Sequence, residues 1–263
     1  CTIYLSYIIS GFIIGPDWGE VFHAVVVPDF DVLTSENMPL VVGLVGTSIT
    51  PWMQFYIQSA VVEKGITVKH LWHSKVDVIV GCFFMFLVTI FIIICCAVTL
   101  HTNGVVISTA ADAAVALEPF AGKYSTILFG VGLFNASIFS AALLPLATSY
   151  YVCEGMGWES GVDKSFKEAP NFFTIFTSLI VIAGALVLIP NIDLFNILIW
   201  SQVINGVLIP IILLFIINLC NDPDVMGEYT NSKFYNVISY GIVLLMLLIN
   251  GALIYYEVIE KLL

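Results

Sequence analysis

Residues 39–63, which read PLVVGLVGTSITPWMQFYIQSAVVE, form an apolar stretch long enough to cross a bilayer but interrupted at its centre. The interruption is residues 46–51, GTSITP, where a glycine, hydroxyl residues and a proline replace the aliphatic residues of an ordinary span. Pro51 has no backbone N–H, and its ring clashes with the carbonyl group one turn earlier. The glycine lowers helix propensity further. The pattern therefore predicts a helix that is broken near the middle of the membrane.

This break has two interpretations. Membrane helices often contain prolines whose freed backbone groups are satisfied by neighbouring helices. Transporters also place their substrate sites at helices interrupted by glycine and proline, where backbone carbonyls and half-helix ends coordinate cations. The segment alone leaves both interpretations open.

The composition of the whole chain indicates an all-α integral membrane protein. Of its 263 residues, 60% are hydrophobic and only 10% are charged, whereas soluble domains carry roughly 25% charged residues. A span needs about 20 apolar residues, and the sequence predicts seven transmembrane helices in a single transmembrane domain, 1–263. The apolar runs lie at 2–15, 39–60, 77–100, 125–152, 171–189, 193–219 and 234–258.

The basic residues predict the orientation. Six of the eight lysines fall in the loops 61–76, 153–170 and 220–233, so these loops are expected on the cytoplasmic side. The chain has no arginine and no basic cluster, which argues against nucleic acid as a partner. We expect a multi-pass protein of the plasma membrane, and the short loops favour a prokaryotic inner membrane.

No catalytic motif is present. The chain contains neither an H-E-x-x-H pair, nor a glycine-rich phosphate loop, nor a G-x-S-x-G nucleophile elbow. The sequence therefore predicts no enzyme and no resident cofactor. No acidic residue lies in the middle of any of the seven runs, which leaves a divalent cation without its usual carboxylate ligand.

Three segments resemble the Nramp family of divalent metal transporters. They are the broken stretch 46–51, the loop 222–231 (DPDVMGEYTN) and the run 118–122 (EPFAG). The resemblance implies a LeuT-type fold and a secondary transporter that works by alternating access. It matches the seven runs to family helices five to eleven, so that helices one to four, with the metal-binding Asp-Pro-Gly-Asn motif, would lie upstream of residue 1. The chain is then expected to be a C-terminal fragment.

The resemblance also implies a set of site residues. The family's backbone-carbonyl ligand falls on Thr47 and its methionine ligand falls on Thr50, while Pro51 would hold the break open. Gln202 and Asn205 of the sixth run are candidate supporting residues. Polar residues at such positions also serve as packing contacts between helices, so that alternative stays open.

Two departures from the family pattern concern the ion. A hydroxyl at Thr50 in place of a thioether leaves an all-oxygen site, which suits Mg²⁺ better than Mn²⁺ or Fe²⁺. Trp52 stands where the family has a histidine, which weakens the case for proton coupling. Both features resemble the magnesium-transporting branch related to Nramp. Met53 lies close by, so a sulfur ligand remains an alternative.

Two other functions stay open at this stage. A transporter of the same fold could carry an organic solute such as an amino acid. The chain could also be an inactive half-transporter, because the upstream half of the cation site would be absent from it.

Overall fold

The computed structural model describes residues 2–27, 33–104, 107 and 110–256, and within these ranges the regular structure is helical, without a β-strand. The all-α prediction is confirmed. In chain order the α-helices are α1 (Leu5–Ile14), α2 (Trp18–Val26), α3 (Met38–Ser48), α4 (Pro51–Glu63), α5 (Leu71–Thr99), α6 (Ala110–Ala114), α7 (Glu118–Ala121), α8 (Ser125–Met156), α9 (Pro170–Val187), α10 (Leu194–Asn221), α11 (Pro223–Met226) and α12 (Lys233–Ile254).

Six helical segments of the described residues are long and apolar enough to cross a membrane. They are Met38–Glu63, Val68–Asn103, Ala111–Met156, Pro170–Val187, Leu194–Asn221 and Lys233–Ile254. These segments correspond to the second to seventh predicted runs, and the runs extend beyond the segments by one or two described residues at 188–189, 193 and 255–256. The prediction of a multi-pass membrane protein is confirmed. The last two predicted positions of the seventh run, 257–258, lie outside the described residues.

The first predicted run, 2–15, forms the shorter apolar helix α1. Its 10 residues extend about 15 Å, which is half the thickness of a bilayer core. The helix ends because Gly15 adopts a left-handed conformation (φ 59°, ψ 57°) and Pro16 follows it. This run is therefore an apolar helix, as expected, but not one of spanning length within the described residues.

The surfaces of the spans are apolar. In the most apolar window of the Ala111–Met156 segment only 6% of the residues are buried inside the protein. Large side chains such as Phe134 and Phe139 are exposed on α8. A surface of this kind is stable against lipid and not against water, which agrees with a position in the membrane.

The chain divides into two compact units. Unit 1 consists of Cys1–Asp29 and Ser59–Ile182, and unit 2 consists of Phe30–Gln58 and Ala183–Leu263. In unit 1, α1 packs against α5. Gly11 allows this approach, because a Cβ atom at that position would lie only 2.5 Å from Cδ1 of the Phe91 ring.

Unit 2 is built on the packing of α3, α10 and α12. Its buried core consists of Met38, Val42, Val203 and Leu253. The side chain of Asp193 caps the start of α10 by accepting a hydrogen bond from the backbone N–H of Asn196 at 3.1 Å. This packing places the end of α3 beside the middle of α10, where the candidate site lies.

Candidate functional site

The break predicted within residues 39–63 is present. Helix α3 ends at Ser48 and α4 begins at Pro51, with Ile49 between them in an extended conformation (φ −123°, ψ 99°). The N–H of Ile49 donates to the Val45 carbonyl at 3.0 Å. Pro51 occupies the first position of α4, where its fixed φ and its missing N–H are tolerated. The prediction of a broken helix is confirmed.

The carbonyl group of Thr47 is exposed by this break. In an uninterrupted helix its oxygen would accept the N–H of residue 51, but proline has none. No hydrogen bond to this oxygen is found among the described residues. The C-terminal end of a helix also carries about half a negative charge from its aligned peptide dipoles. The end of α3 is therefore electrostatically suited to a cation.

The hydroxyl groups near the break differ in their availability. Thr47 Oγ1 donates to the carbonyl of Gly43 at 2.9 Å, and Ser48 Oγ donates to the carbonyl of Leu44 at 3.0 Å. Thr50 is half-buried, and within the described part of the chain its hydroxyl has no hydrogen-bond partner. Thr47 can thus offer its carbonyl oxygen, whereas Thr50 can offer its side-chain oxygen.

Helices α3 and α10 approach each other at glycines. A Cβ atom on Gly46 would overlap the backbone carbonyl oxygen of Gln202 and would lie 2.6 Å from the backbone nitrogen of Gly206. A Cβ atom on Gly206 would lie 2.5 Å from the carbonyl oxygen of Val42. At Gly43 the nearest atom would be 3.6 Å away, which is an ordinary contact. The close approach therefore depends on Gly46 and Gly206.

This crossing brings Gln202 to the end of α3. Its backbone lies against Gly46, the residue before Thr47. The side chains of Gln202 and Asn205 form a pair in which Asn205 Nδ2 donates to Gln202 Oε1 at 3.1 Å. Both residues are half-buried. The Gln202 backbone thus packs against α3 in unit 2, and the Asn205 amide is bonded to the Gln202 side chain.

The candidate site is made of neutral oxygen atoms. Helix α10 contains no acidic residue, and α3 with α4 contains only Glu63, at the far end of α4. Within the described ranges no group of three or more His, Cys, Asp or Glu side chains could hold a metal ion. Carbonyl, hydroxyl and amide oxygens are ligands that hard divalent cations accept, together with retained water.

Asn250 of α12 was not singled out from the sequence. Its side chain is buried, and its Nδ2 donates to the carbonyl of Gly206 at 3.1 Å. The available signal was an asparagine inside an apolar run, which in membranes marks contacts between helices.

Comparison with known proteins decides the family. The family model described as natural resistance-associated macrophage protein-like, Nramp, matches residues 1–256. The chain belongs to the Nramp family. The resemblance inferred from residues 46–51, 118–122 and 222–231 is therefore confirmed.

Several curated proteins are similar to this Nramp chain. Proteins named divalent metal cation transporter MntH from Clostridium acetobutylicum and Caldanaerobacter subterraneus subsp. tengcongensis are each 24% identical to it, over 262 and 261 residues. Each alignment covers 97% of this chain, but only 57% and 59% of the respective relative. A protein of the same name from Vibrio campbellii is 26% identical over 256 residues, which cover 95% of this chain and 57% of that relative. The chain thus spans less than two thirds of the length of these relatives.

The names of the Nramp relatives bear on the earlier predictions. They describe transporters and not enzymes, in agreement with the expectation that this chain is not an enzyme. They refer to divalent metal cations without naming one, so the assignment to the magnesium branch stays a prediction.

Proposed function

We propose that this chain forms part of a secondary transporter that moves a divalent metal cation across the plasma membrane by alternating access. The observation that carries the proposal is the interruption between Ser48 and Pro51, after which the Thr47 carbonyl has no backbone donor within the described ranges. A half-helix end at the centre of a span is a recurrent cation site in transporters. Membership of a family whose curated members are named divalent metal cation transporters supports the same conclusion.

Each site residue has a distinct role in this proposal. Thr47 supplies its backbone carbonyl, Thr50 supplies its hydroxyl, and Pro51 keeps the break open by withholding an N–H. Gln202 and Asn205 approach from α10 as neutral amides. Gln202 Oε1 already accepts one hydrogen bond from Asn205, and its second lone pair remains available for a cation or for a water in the cation's shell.

The ligand chemistry favours a hard cation. Mg²⁺ prefers oxygen ligands and keeps several of its waters, whereas a thioether ligand favours softer transition metals. Thr50 stands at the position of the family's methionine, so we propose Mg²⁺ as the preferred ion. Met53, the third residue of α4 and exposed, is the residue that could reverse this preference by supplying sulfur.

The test is a change of ligand at residue 50. Thr50→Met in the full-length protein, reconstituted in liposomes, should raise the ratio of Mn²⁺ uptake to Mg²⁺ uptake about tenfold, which corresponds to about 1.4 kcal/mol. The matched control is Thr177→Met, the same substitution at an exposed position in the middle of α9. It should leave the ratio unchanged.

The same assay separates the alternatives. If Thr50→Met and wild type show equal Mn²⁺ and Mg²⁺ uptake, the assignment of Thr50 as a ligand is wrong. Sodium-linked uptake of an amino acid without metal uptake would instead identify an organic-solute transporter of this fold. Absence of any metal or amino-acid flux in the liposomes would favour an inactive half-transporter.

A further inference from the structure

The amide of Asn250 makes a contact that joins α12 to the middle of α10. The side chain is only 7% exposed, and its Nδ2 lies 3.1 Å from the Gly206 carbonyl oxygen. The two residues are 44 positions apart in the chain. The bond is therefore purely tertiary and both of its partners lie in unit 2.

The carbonyl that Asn250 reaches is one that α10 cannot satisfy alone. Its helical donor would be the N–H of residue 210, and this residue is a proline inside the helix. Pro210 is completely buried. In the membrane interior no water replaces the missing donor, so an unpaired carbonyl is costly there. Asn250 supplies the N–H that Pro210 withholds.

Gly206, whose carbonyl accepts this hydrogen bond, is also the residue at which α10 packs against α3. The Gly206 backbone contacts Gly46 and Val42, and Gln202 lies one turn earlier on α10. Asn205 is the immediate neighbour of Gly206. A shift of the backbone at Gly206 would therefore move the Gln202–Asn205 amide pair relative to the end of α3.

We propose that Asn250 is a positioning residue of the cation site. By donating a hydrogen bond to the Gly206 carbonyl, it fixes the position of the Gln202 and Asn205 amides relative to the break between α3 and α4. Its role as part of a cation site rests on the proposed function, whereas the hydrogen bond itself does not. A purely structural role would affect stability alone. A positioning role also predicts a change in the apparent affinity for the cation.

A double-mutant cycle on the full-length protein tests this proposal. In liposomes, Asn250→Leu should raise the KM for Mg²⁺ or Mn²⁺ uptake about fivefold or more, with a smaller effect on kcat. Pro210→Ala restores the N–H that bonds Gly206 within the helix. Asn250→Leu should therefore raise KM less than about twofold in the Pro210→Ala background. The melting temperature of each variant is measured in parallel.

Asn236→Leu is the matched control on the same helix. Its amide exchanges hydrogen bonds with Asn221 at 2.7 and 3.0 Å and does not contact Gly206. It should lower the melting temperature without changing KM. An unchanged KM for Asn250→Leu, or an equal KM increase with and without Pro210, would overturn the positioning role.

The stability measurements keep this inference separate from the proposed function. If the wild-type protein moves neither cation, the proposed function and the positioning role are both wrong. The melting temperatures then still test whether Asn250 satisfies the Gly206 carbonyl. If Asn250→Leu lowers the melting temperature in the wild-type background but not in the Pro210→Ala background, the hydrogen bond is supported. If it lowers the melting temperature equally in both backgrounds, the hydrogen bond is refuted.

Discussion

Two carbonyl groups of unit 2 lose their helical hydrogen bond to a proline, and their surroundings differ. Pro51 removes the donor for Thr47, and the helix is interrupted there before α4 begins. Pro210 removes the donor for Gly206, yet α10 continues as one helix to Asn221. The covalent cause is the same in both places, but among the described residues only the second carbonyl receives a side-chain donor, from Asn250.

If the Thr47 carbonyl binds the cation as proposed, this difference indicates that a proline does not by itself create an ion site. A freed carbonyl that a neighbouring helix satisfies becomes a packing contact, whereas one without a donor keeps its lone pairs for a ligand. The identity of the residue facing the carbonyl therefore separates the two outcomes.

The largest effect is expected at the helix crossing that holds both carbonyls. Gly46→Ala places a Cβ against the backbone of Gln202 and Gly206, which cannot move as a flexible side chain can. We expect a loss of about 3 kcal/mol in the free energy of unfolding and loss of metal uptake. Thermal unfolding in detergent and uptake by liposomes measure the two effects.

Gly43→Ala is the control for this prediction. Its Cβ would meet its nearest neighbour at 3.6 Å, and alanine is the better helix former by about 1 kcal/mol. It should leave stability unchanged or slightly increased. Equal destabilisation by both substitutions would show that the crossing does not depend on Gly46.

A smaller and more selective effect is expected at Pro51. Pro51→Ala supplies the N–H that Thr47 lacks and should extend α3 into α4, so metal uptake should fall about tenfold while thermal stability is maintained or increased. Pro210→Ala supplies an N–H to a carbonyl that already has a donor. It should therefore change uptake by less than about threefold. Similar losses for both variants would remove the distinction between the two carbonyls.

The smallest effect concerns buried hydroxyls in unit 1. Ser59 is 2% exposed, and its hydroxyl has no hydrogen-bond partner in the described part of the chain. Ser59→Ala should therefore raise the free energy of unfolding by up to about 1 kcal/mol. Ser149, equally buried, donates to the Pro145 carbonyl at 2.8 Å, and Ser149→Ala should lower it by about 1 kcal/mol. Denaturant unfolding measures the free energy of unfolding of both variants. A change of the same sign in both would contradict the prediction.

Much of the fold follows from the sequence. The apolar runs predicted seven spans, six of which are long enough to cross a membrane within the described residues. The glycine and proline of residues 46–51 predicted the interruption. Both features depend on local chemistry. The first run, predicted at 2–15, is helical from Thr2 to Ile14, as a 3-10 turn followed by α1. Its end follows from the left-handed conformation of Gly15 and the proline after it.

The candidate site was only partly predictable. The missing donor for Thr47 follows from the four-residue spacing to Pro51. The approach of Gln202 to Gly46 does not, because residues far apart in the chain must first pack together. Asn250 was overlooked for the same reason, since a single amide in an apolar run has no periodic pattern.

The order of residues alone determined that the chain is an all-helical membrane protein with a broken span, because hydrophobicity and the missing N–H of proline are properties of the residues themselves. Only the tertiary structure decided which of the two carbonyls receives a hydrogen bond from a side chain. The outcome depends on which side chain the packing of the helices places next to each carbonyl. At Gly206 that side chain is Asn250, and at Thr47 no donor is found among the described residues.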